Sequence, residues 1–237
     1  NRTDLKRIAS VTALIAFSVN ICAGMIISGL TDKKLEDSDK ISFAVIQGNI
    51  SSKDKWSDSS YDFCMERHKK YTEAAAAAGA KYVVWSETAI PHFSTLPQAQ
   101  TDLKSIAKKN NVTLLVGVQI DKEADDGGYV HYNSVIMIDP EGNISDSVYH
   151  KQHLVPFGEY VPSREFLVKM IPLLSEISLL SYDLSAGHDG TVIETADGGV
   201  GSMICFDSIY EQSALSAVRN GAELLVLPTN DSWFDGS

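Results

Sequence analysis

An uncharged apolar run near the N-terminus constrains this chain more than any other feature. Residues 8–30 form 23 consecutive positions without a charged side chain. At about 1.5 Å per residue, a helix of that length spans the hydrocarbon core of a bilayer. We therefore predict a transmembrane helix with a short cytoplasmic flank over residues 1–30. A cleavable signal peptide and a buried core helix are the alternatives.

The charges beside this run predict its orientation. Arg2, Lys6 and Arg7 precede it, whereas residues 31–40 mix acidic and basic side chains. Since positively charged flanks stay in the cytoplasm, the remainder of the chain is expected outside. We assign residues 31–40 to a linker and residues 41–237 to one catalytic domain, because 44% hydrophobic composition allows one large buried core. We expect that domain to be C-terminally incomplete, because the chain stops directly behind a strongly apolar strand.

Charge and cysteine content restrict the function further. The net charge is −11 and no basic stripe is present, so the sequence predicts no nucleic-acid partner. Three cysteines are too few for a disulfide framework. Cys22 lies in the apolar run, and Cys64 is expected to pack as a small hydrophobic residue in a helix. Only Cys205 has a context that suggests chemistry.

The order of predicted elements indicates an α/β fold with a mixed sheet. Strands alternate with helices at first, as in an α/β sheet. Turn signals at residues 125–128 and 139–142 then flank an antiparallel strand. The predicted strands cover residues 42–47, 81–85, 111–120, 129–138, 191–194, 200–204 and 223–227, and the predicted helices cover residues 57–80, 97–110 and 208–220.

A long segment over residues 155–187 lacks a clear element. Pro156, Pro162 and Pro172 interrupt any extended helix, yet residues 166–180 are rich in large apolar side chains. Long segments of this kind in compact domains are usually lids or docking surfaces. A core helix followed by coil is the alternative.

Cys205 is a candidate nucleophile because it lies between a predicted strand and a predicted helix. Unpaired amides at the start of a helix favour the thiolate and can hold an oxyanion. This context predicts a thiolate at Cys205. A buried structural cysteine after a strand is the alternative interpretation.

Glu87 and Lys151 are the candidate helpers. Glu87 follows a buried strand, where partial desolvation raises a carboxylate pKa into the range of a general base. A helix cap or a surface acid is its alternative role. Lys151 begins the long segment, and a cation near a thiol stabilises both the thiolate and a tetrahedral intermediate. An ordinary solvated lysine is the alternative there.

Three histidines are candidate metal ligands. His150 and His153 are three residues apart, and His131 lies upstream. No accompanying Cys or carboxylate has a convincing ligand spacing. The sequence therefore predicts neither a metal nor another cofactor.

Three segments together resemble the Glu-Lys-Cys set of the nitrilase, or carbon-nitrogen hydrolase, superfamily. They are residues 85–88 (WSET), 149–160 (YHKQHLVPFGEY) and 201–207 (GSMICFD). Residues 154–162 (LVPFGEYVP) and 229–234 (TNDSWF) are similar to the apolipoprotein N-acyltransferases within it. The resemblance implies a nitrilase-like four-layer α-β-β-α sandwich preceded by a transmembrane helix. It also implies a location on the extracytoplasmic face of the inner, or cytoplasmic, membrane.

The same resemblance implies a ping-pong acyl transfer. Cys205 would take a fatty acyl chain from a membrane phospholipid as a thioester. The N-terminal amine of a diacylglyceryl-cysteine apolipoprotein would then accept that chain. Glu87 would be the general base, Lys151 would stabilise the oxyanion, and Glu159 would be a second carboxylate beside them.

Three further residues are expected to support the site: Phe157, Asp207 and Trp233. Asp207 stands where the family commonly has Glu, and the shorter side chain is expected to leave a contact unmade. Two rival functions remain. One is a membrane-tethered amidase that uses the same set in a small, closed pocket. The other is a non-catalytic scaffold on this fold, which would have no physical need for Glu87, Lys151 and Cys205 together.

Overall fold

The structure, a computed structural model, describes most of the chain, in two units that divide between Ile41 and Ser42. The described residues are 2–36, 40–55, 60–91, 93–124, 127–164, 169, 182–188 and 190–230. Trp233 and residues 166–168 and 170–180 of the apolar segment lie outside them.

The first unit contains helix α1, Arg2–Glu36. Its Asp4–Lys34 stretch contains an 18-residue segment with a mean hydropathy of 2.0, none of which is buried, so the helix is long and apolar enough to cross a membrane. The helix continues through residues 31–36, which the sequence analysis assigned to the linker. Lys33 and Lys34 lie in its last turn, where positive charge interacts favourably with the helix dipole.

The first sheet of the second unit contains five strands in the order β1-β2-β3-β4-β5. Strands β1 to β3 are parallel, and β4 and β5 are antiparallel to their neighbours, so the predicted mixed sheet is confirmed. The strands are β1 (Phe43–Ile46), β2 (Tyr82–Trp85), β3 (Thr113–Glu123), β4 (Tyr129–Ile138) and β5 (Tyr149–His150). The helices between them are α2 (Ser52–Lys55), α3 (Ser60–Ala77) and α4 (Pro97–Asn110).

The second sheet has the order β6-β7-β8, with strands Val192–Thr195, Gly198–Ser202 and Ala222–Val226. After β7 the chain forms a short 3-10 helix, Cys205–Ile209, and then helix α5, Glu211–Arg219. The predicted single helix over residues 208–220 was therefore wrong at its start. Tyr210 is extended, with φ −105° and ψ 105°, and it separates the two pieces.

Two apolar clusters arrange these elements in four layers. Neighbouring residues of a strand point to opposite faces of its sheet. Trp85 and Leu114 accordingly pack toward α3 and α4, whereas Val84 and Leu115 pack against the second sheet. Buried Ala217 places α5 on the far side of that sheet. The result is the predicted α-β-β-α sandwich.

Candidate active site

The candidate catalytic residues all follow strand ends, and the fold brings them together. Glu87 lies two residues after β2, Lys151 follows β5 directly, and Cys205 lies three residues after β7. Lys151 contacts Glu87, and both interact electrostatically with Cys205. Glu159 joins them through Lys151. The site therefore draws residues from both sheets.

Glu87 is a buried carboxylate with one oxygen in use. Its Oε1 accepts hydrogen bonds from Asn133 Nδ2 at 2.7 Å and Lys151 Nζ at 3.4 Å. Among the described residues, Oε2 is buried without a hydrogen-bond partner. Burial raises the pKa of Glu87, and the opposing charge of Lys151 offsets this only in part. A carboxylate with a raised pKa and an unused oxygen is suited to accept a proton.

Lys151 lies between two carboxylates and is only 1% exposed. Its Nζ donates to Glu159 Oε1 at 2.8 Å as well as to Glu87. Burial on its own lowers a lysine pKa, but Glu87 and Glu159 outweigh that effect and the pKa is raised. Lys151 therefore stays positively charged in the site, unlike the solvated lysine that was the alternative.

Glu159 is buried and holds the turn that follows Val155. Its Oε2 accepts the Val155 backbone N–H at 2.8 Å, so the carboxylate is fixed from both sides. Phe157, within that turn, is 47% exposed and has a φ of +62°. Its backbone N–H donates to the Tyr160 carbonyl at 2.7 Å, which closes the turn around Glu159.

The backbone is unusual at Cys205 itself. Its φ is +46°, and Thr88, next to Glu87, has a φ of +45°. Non-glycine residues with positive φ are strained and persist where the surrounding structure imposes them. The Cys205 N–H donates to the Pro228 carbonyl at 3.1 Å, which ties this turn to the end of β8.

The Cys205 thiol is protonated at rest, contrary to the prediction of a thiolate. Burial and the negative charge of Glu87 raise its pKa to about 11, whereas Lys151 acts in the opposite direction. The prediction relied on the amides of a following α-helix, but the thiol precedes only a five-residue 3-10 helix. A base must therefore remove the thiol proton, and Glu87 is adjacent.

Asp207 connects the cysteine turn to the lysine segment. It is fully buried, and its Oδ2 accepts Tyr149 OH at 2.8 Å and the Ile204 N–H at 3.0 Å. Its Oδ1 accepts the His153 N–H at 2.8 Å. The shorter acid was expected to leave a contact unmade, but both oxygens are in use. Tyr149 and His153 flank Lys151, so Asp207 aligns that segment with Cys205.

Sequence reasoning missed two side chains that surround Glu87. Asn133 Nδ2 donates to Glu87, and at 3.5 Å to Glu159. Lys55 Nζ donates to the Glu87 backbone carbonyl at 2.9 Å. The signal for Asn133 was an amide inside the apolar strand β4, where a buried polar group needs a partner. Lys55 gave no signal, because lysine is usually exposed.

Glycines allow close approaches at Glu87 and Lys151. A Cβ atom on Gly117, in β3, would lie 2.3 Å from the Ser86 carbonyl oxygen and 2.9 Å from Glu87 Cα. A Cβ atom on Gly187 would lie 2.4 Å from the His150 carbonyl oxygen, beside Lys151. Larger residues at either position would push the catalytic segments away.

The three histidines have other partners. His131 Nδ1 lies 2.7 Å from Asp121, His150 Nδ1 lies 2.7 Å from Ser134 Oγ, and His153 contacts Asp207. Within the described ranges no group of three or more His, Cys, Asp or Glu side chains is placed to hold a metal ion.

Comparison with known proteins identifies the family to which this chain belongs. The family model for carbon-nitrogen hydrolases matches residues 42–237, so the chain belongs to that family. Among curated relatives, it is 33% identical over 200 residues to an apolipoprotein N-acyltransferase of Geobacter metallireducens, covering 82% of this chain and 36% of that protein. It is 30% identical over 227 residues to an apolipoprotein N-acyltransferase of Gloeobacter violaceus, covering 95% and 41%.

These relatives confirm the resemblance to apolipoprotein N-acyltransferases. The chain spans 36% and 41% of the length of these two relatives. Solved structures confirm the fold. A carbon-nitrogen hydrolase from Helicobacter pylori G27 matches with a TM-score of 0.58 at 20% identity, covering 80% of this chain and 60% of that one. An amidase from Nesterenkonia sp. matches with a TM-score of 0.56 at 15% identity, covering 83% and 68%.

Proposed function

We propose that the second unit is the catalytic part of an acyltransferase that moves a fatty acyl chain from a membrane phospholipid to the N-terminal amine of an apolipoprotein. The observation that carries this proposal is the grouping of a partly exposed Cys205 with buried Glu87, Lys151 and Glu159. The names of the matched relatives support the choice of substrates.

In the proposed first half-reaction, Glu87 accepts the Cys205 proton as the sulfur attacks the phospholipid ester carbon. A carbon–sulfur bond forms and gives a tetrahedral oxyanion. The ester carbon–oxygen bond then breaks, and Glu87 returns the proton to the departing lysophospholipid alkoxide. The buried carboxylate of Glu87 supports this double role, because burial raises its pKa and so makes it a better proton acceptor.

In the second half-reaction, the apolipoprotein amine attacks the thioester carbon. Its proton passes to Glu87, the carbon–sulfur bond breaks, and an amide forms. The released thiolate takes the proton back and restores the Cys205 thiol. A thioester retains enough reactivity to acylate an amine, which makes a cysteine suitable as the intermediate carrier.

Lys151 is the proposed stabiliser of the oxyanion. The Cys205 amide, a frequent donor at such sites, already donates to the Pro228 carbonyl. The charged and nearly inaccessible Lys151 ammonium is adjacent to the thiol and keeps its charge. Charge stabilisation at a developing oxyanion is strongest in such a water-excluded site. Glu159 would hold the ammonium in place.

We further propose that α1 anchors the protein in the cytoplasmic membrane and leaves the catalytic unit on its extracytoplasmic face. The helix has the required length and hydropathy. Arg2, Lys6 and Arg7 at its start favour a cytoplasmic N-terminus. This placement would put Cys205 in the compartment where the phospholipid and the apolipoprotein are expected.

The test is acylation of the full-length protein in detergent micelles that contain phospholipid. Intact mass spectrometry should detect a gain of one fatty acyl group that hydroxylamine removes. Cys205→Ser should abolish this gain, and Cys64→Ser, the matched control at the buried cysteine of α3, should retain it. Release of lysophospholipid in equal amount would confirm the first half-reaction.

Other results would favour the rival functions. A folded protein that hydrolyses small amides but acquires no acyl group would be a membrane-tethered amidase. If a thiol-reactive probe labels Cys205 no faster than Cys64 under native conditions, and neither lipid nor amide turns over, the domain is a scaffold.

A further inference from the structure

Lys55 is a second buried lysine beside the catalytic centre. It ends α2 and is 3% exposed. Its backbone N–H donates to the Ser51 carbonyl at 3.0 Å, and its carbonyl accepts Ser60 Oγ at 2.7 Å. The main chain of Lys55 is thus held on both sides, and its side chain reaches inward to the Glu87 backbone carbonyl.

The side chain of Lys55 fixes the peptide group that carries Glu87. Its Nζ donates to the Glu87 backbone carbonyl at 2.9 Å. The next residue, Thr88, has a φ of +45°, so the peptide between them begins a strained turn. A strained turn persists only where contacts determine it. Lys55 therefore holds the backbone from which the Glu87 side chain reaches Cys205.

Lys55 also changes the charge balance of the centre. Glu87 and Glu159 both contact Lys151, so one ammonium group faces two carboxylates. Among the described residues Lys55 is the other buried lysine, and its charge lowers the pKa of Glu87. Burial lowers the pKa of Lys55 to about 8, and the negative charge of Glu87 works against that change. At neutral pH Lys55 is mostly charged, which matches two cations to two carboxylates.

We infer that Lys55 is a positioning residue for Glu87, which it serves by fixing the Glu87 peptide group and by providing the second buried positive charge. A methionine of similar length would fill the same volume without burying a charge. The hydrogen bond to the Glu87 carbonyl and the charge that acts on the Glu87 side chain therefore explain why a lysine stands at this position. This inference rests on the proposed role of Glu87 as the proton acceptor for Cys205.

The experiment measures alkylation of Cys205 by iodoacetamide against pH in the full-length protein in micelles, with peptide mass mapping to separate the three cysteines. Below the thiol pKa of about 11, alkylation requires Glu87 to accept the Cys205 proton, so the rate rises with pH as Glu87 ionises. Lys55 is charged below about pH 8, and Lys55→Met removes a cation that lowers the pKa of Glu87. The midpoint of this Glu87-dependent rise should therefore move up by about one pH unit. Lys55→Arg keeps the charge and should keep the midpoint. Lys69→Met, the control at an exposed lysine of α3, should change nothing.

A double-mutant comparison isolates the path of the effect. Lys55 is not among the charges that perturb Cys205 directly. In a Glu87→Gln background, Lys55→Met should therefore no longer move the midpoint, because the group it acts on is gone. A residue with a merely structural role would alter stability in both backgrounds and the midpoint in neither.

Three results would overturn the inference. One is an unchanged midpoint in folded Lys55→Met, and another is an equal shift with and without Glu87. Should Lys55→Met fail to fold, Lys55→Arg decides, since a raised midpoint in that folded variant would contradict a role for the charge. Alkylation needs no phospholipid, so failure of acyl transfer in the wild-type protein would contradict the proposed function and leave this inference standing.

Discussion

Cys205 and Cys64 are two cysteines of one domain with different surroundings. Cys64 lies within the regular helix α3 and is completely buried. Cys205 is partly exposed, has a φ of +46°, and interacts with Glu87, Lys151 and Glu159. Burial raises the pKa of both thiols. The difference therefore lies in access, in backbone geometry and in an adjacent base, and the thiol group itself confers no function.

The largest expected effect comes from removing that base. Glu87→Gln should slow thioester formation from phospholipid by about 10²- to 10⁴-fold, because no group then accepts and returns the proton. Time-resolved intact mass spectrometry measures this rate.

Alkylation of Cys205 should behave in the opposite way in the same variant. Glu87 raises the thiol pKa, so its removal should lower that pKa from about 11, and the high-pH midpoint at which the thiol itself ionises should shift to lower pH. Cys64, which is buried away from Glu159 and Lys151, should keep its slow reaction. A high-pH midpoint of thiol ionisation that rises in Glu87→Gln would contradict the charge arrangement described for the site.

The next largest effect is expected from a steric change beside Glu87. Gly117→Ala places a methyl group 2.3 Å from the Ser86 carbonyl oxygen, so the Glu87 segment must move. Displacement of a catalytic group by about 1 Å typically costs on the order of 10²-fold in rate. Thioester formation should fall by that factor, while Cys64 stays unreactive. A variant with wild-type rate and stability would show that Glu87 tolerates the shift.

Asp207→Asn should have a smaller effect on rate and a clear effect on stability. Asp207 accepts hydrogen bonds from Tyr149, Ile204 and His153, so an amide NH₂ group must face at least one donor. We expect a loss of about 1–3 kcal/mol in the free energy of unfolding, measured by denaturant titration, and roughly a tenfold slower thioester formation. Asp207→Glu is the control, since it keeps the charge; a stability equal to wild type in Asp207→Asn would contradict the assignment.

The smallest effect is expected from a substitution of Cys64. Cys64→Ala removes a buried sulfur and should cost about 1 kcal/mol in unfolding free energy. Thioester formation should remain within about twofold of wild type, because Cys64 packs in the core of α3. Loss of acylation in this folded variant would show that the reaction also depends on Cys64, contrary to the difference described between the two cysteines.

Local patterns predicted much of this fold. The helix over residues 97–110 and the strand over residues 129–138 were predicted with their observed bounds, because Pro97 begins the helix and turn signals flank the strand. The failure at residues 208–220 came from Tyr210, whose extended backbone divides the predicted helix. Nothing in the local sequence marks that interruption. The turn that precedes Tyr210 is held by hydrogen bonds from Tyr149 and His153 to Asp207, and both residues are distant in sequence.

The candidate site, like the fold, could be predicted only in part from the sequence. Glu87, Lys151 and Cys205 could be named because each follows a strand and stands in a recognisable segment. The raised pKa of Glu87 was predicted from its burial. The prediction that the context of Cys205 favours the thiolate was wrong, because the thiol is buried and Glu87, which is distant in sequence, places a negative charge beside it. Lys55 is 32 positions from Glu87, and no short-range pattern joins them.

The resemblance of three segments to a known family named the candidate nucleophile, base and cation, while the sequence by itself determined the apolar helix and the alternation of strands and helices. These properties depend on residue type and short spacing, which hydrophobic burial and hydrogen bonding translate into local structure. Only the tertiary structure decided that Lys151 stays charged between two carboxylates, that Cys205 rests as a thiol, and that Lys55 stands behind Glu87. Burial and Coulomb interactions set those states, and both depend on distances that exist only after the two sheets have packed together.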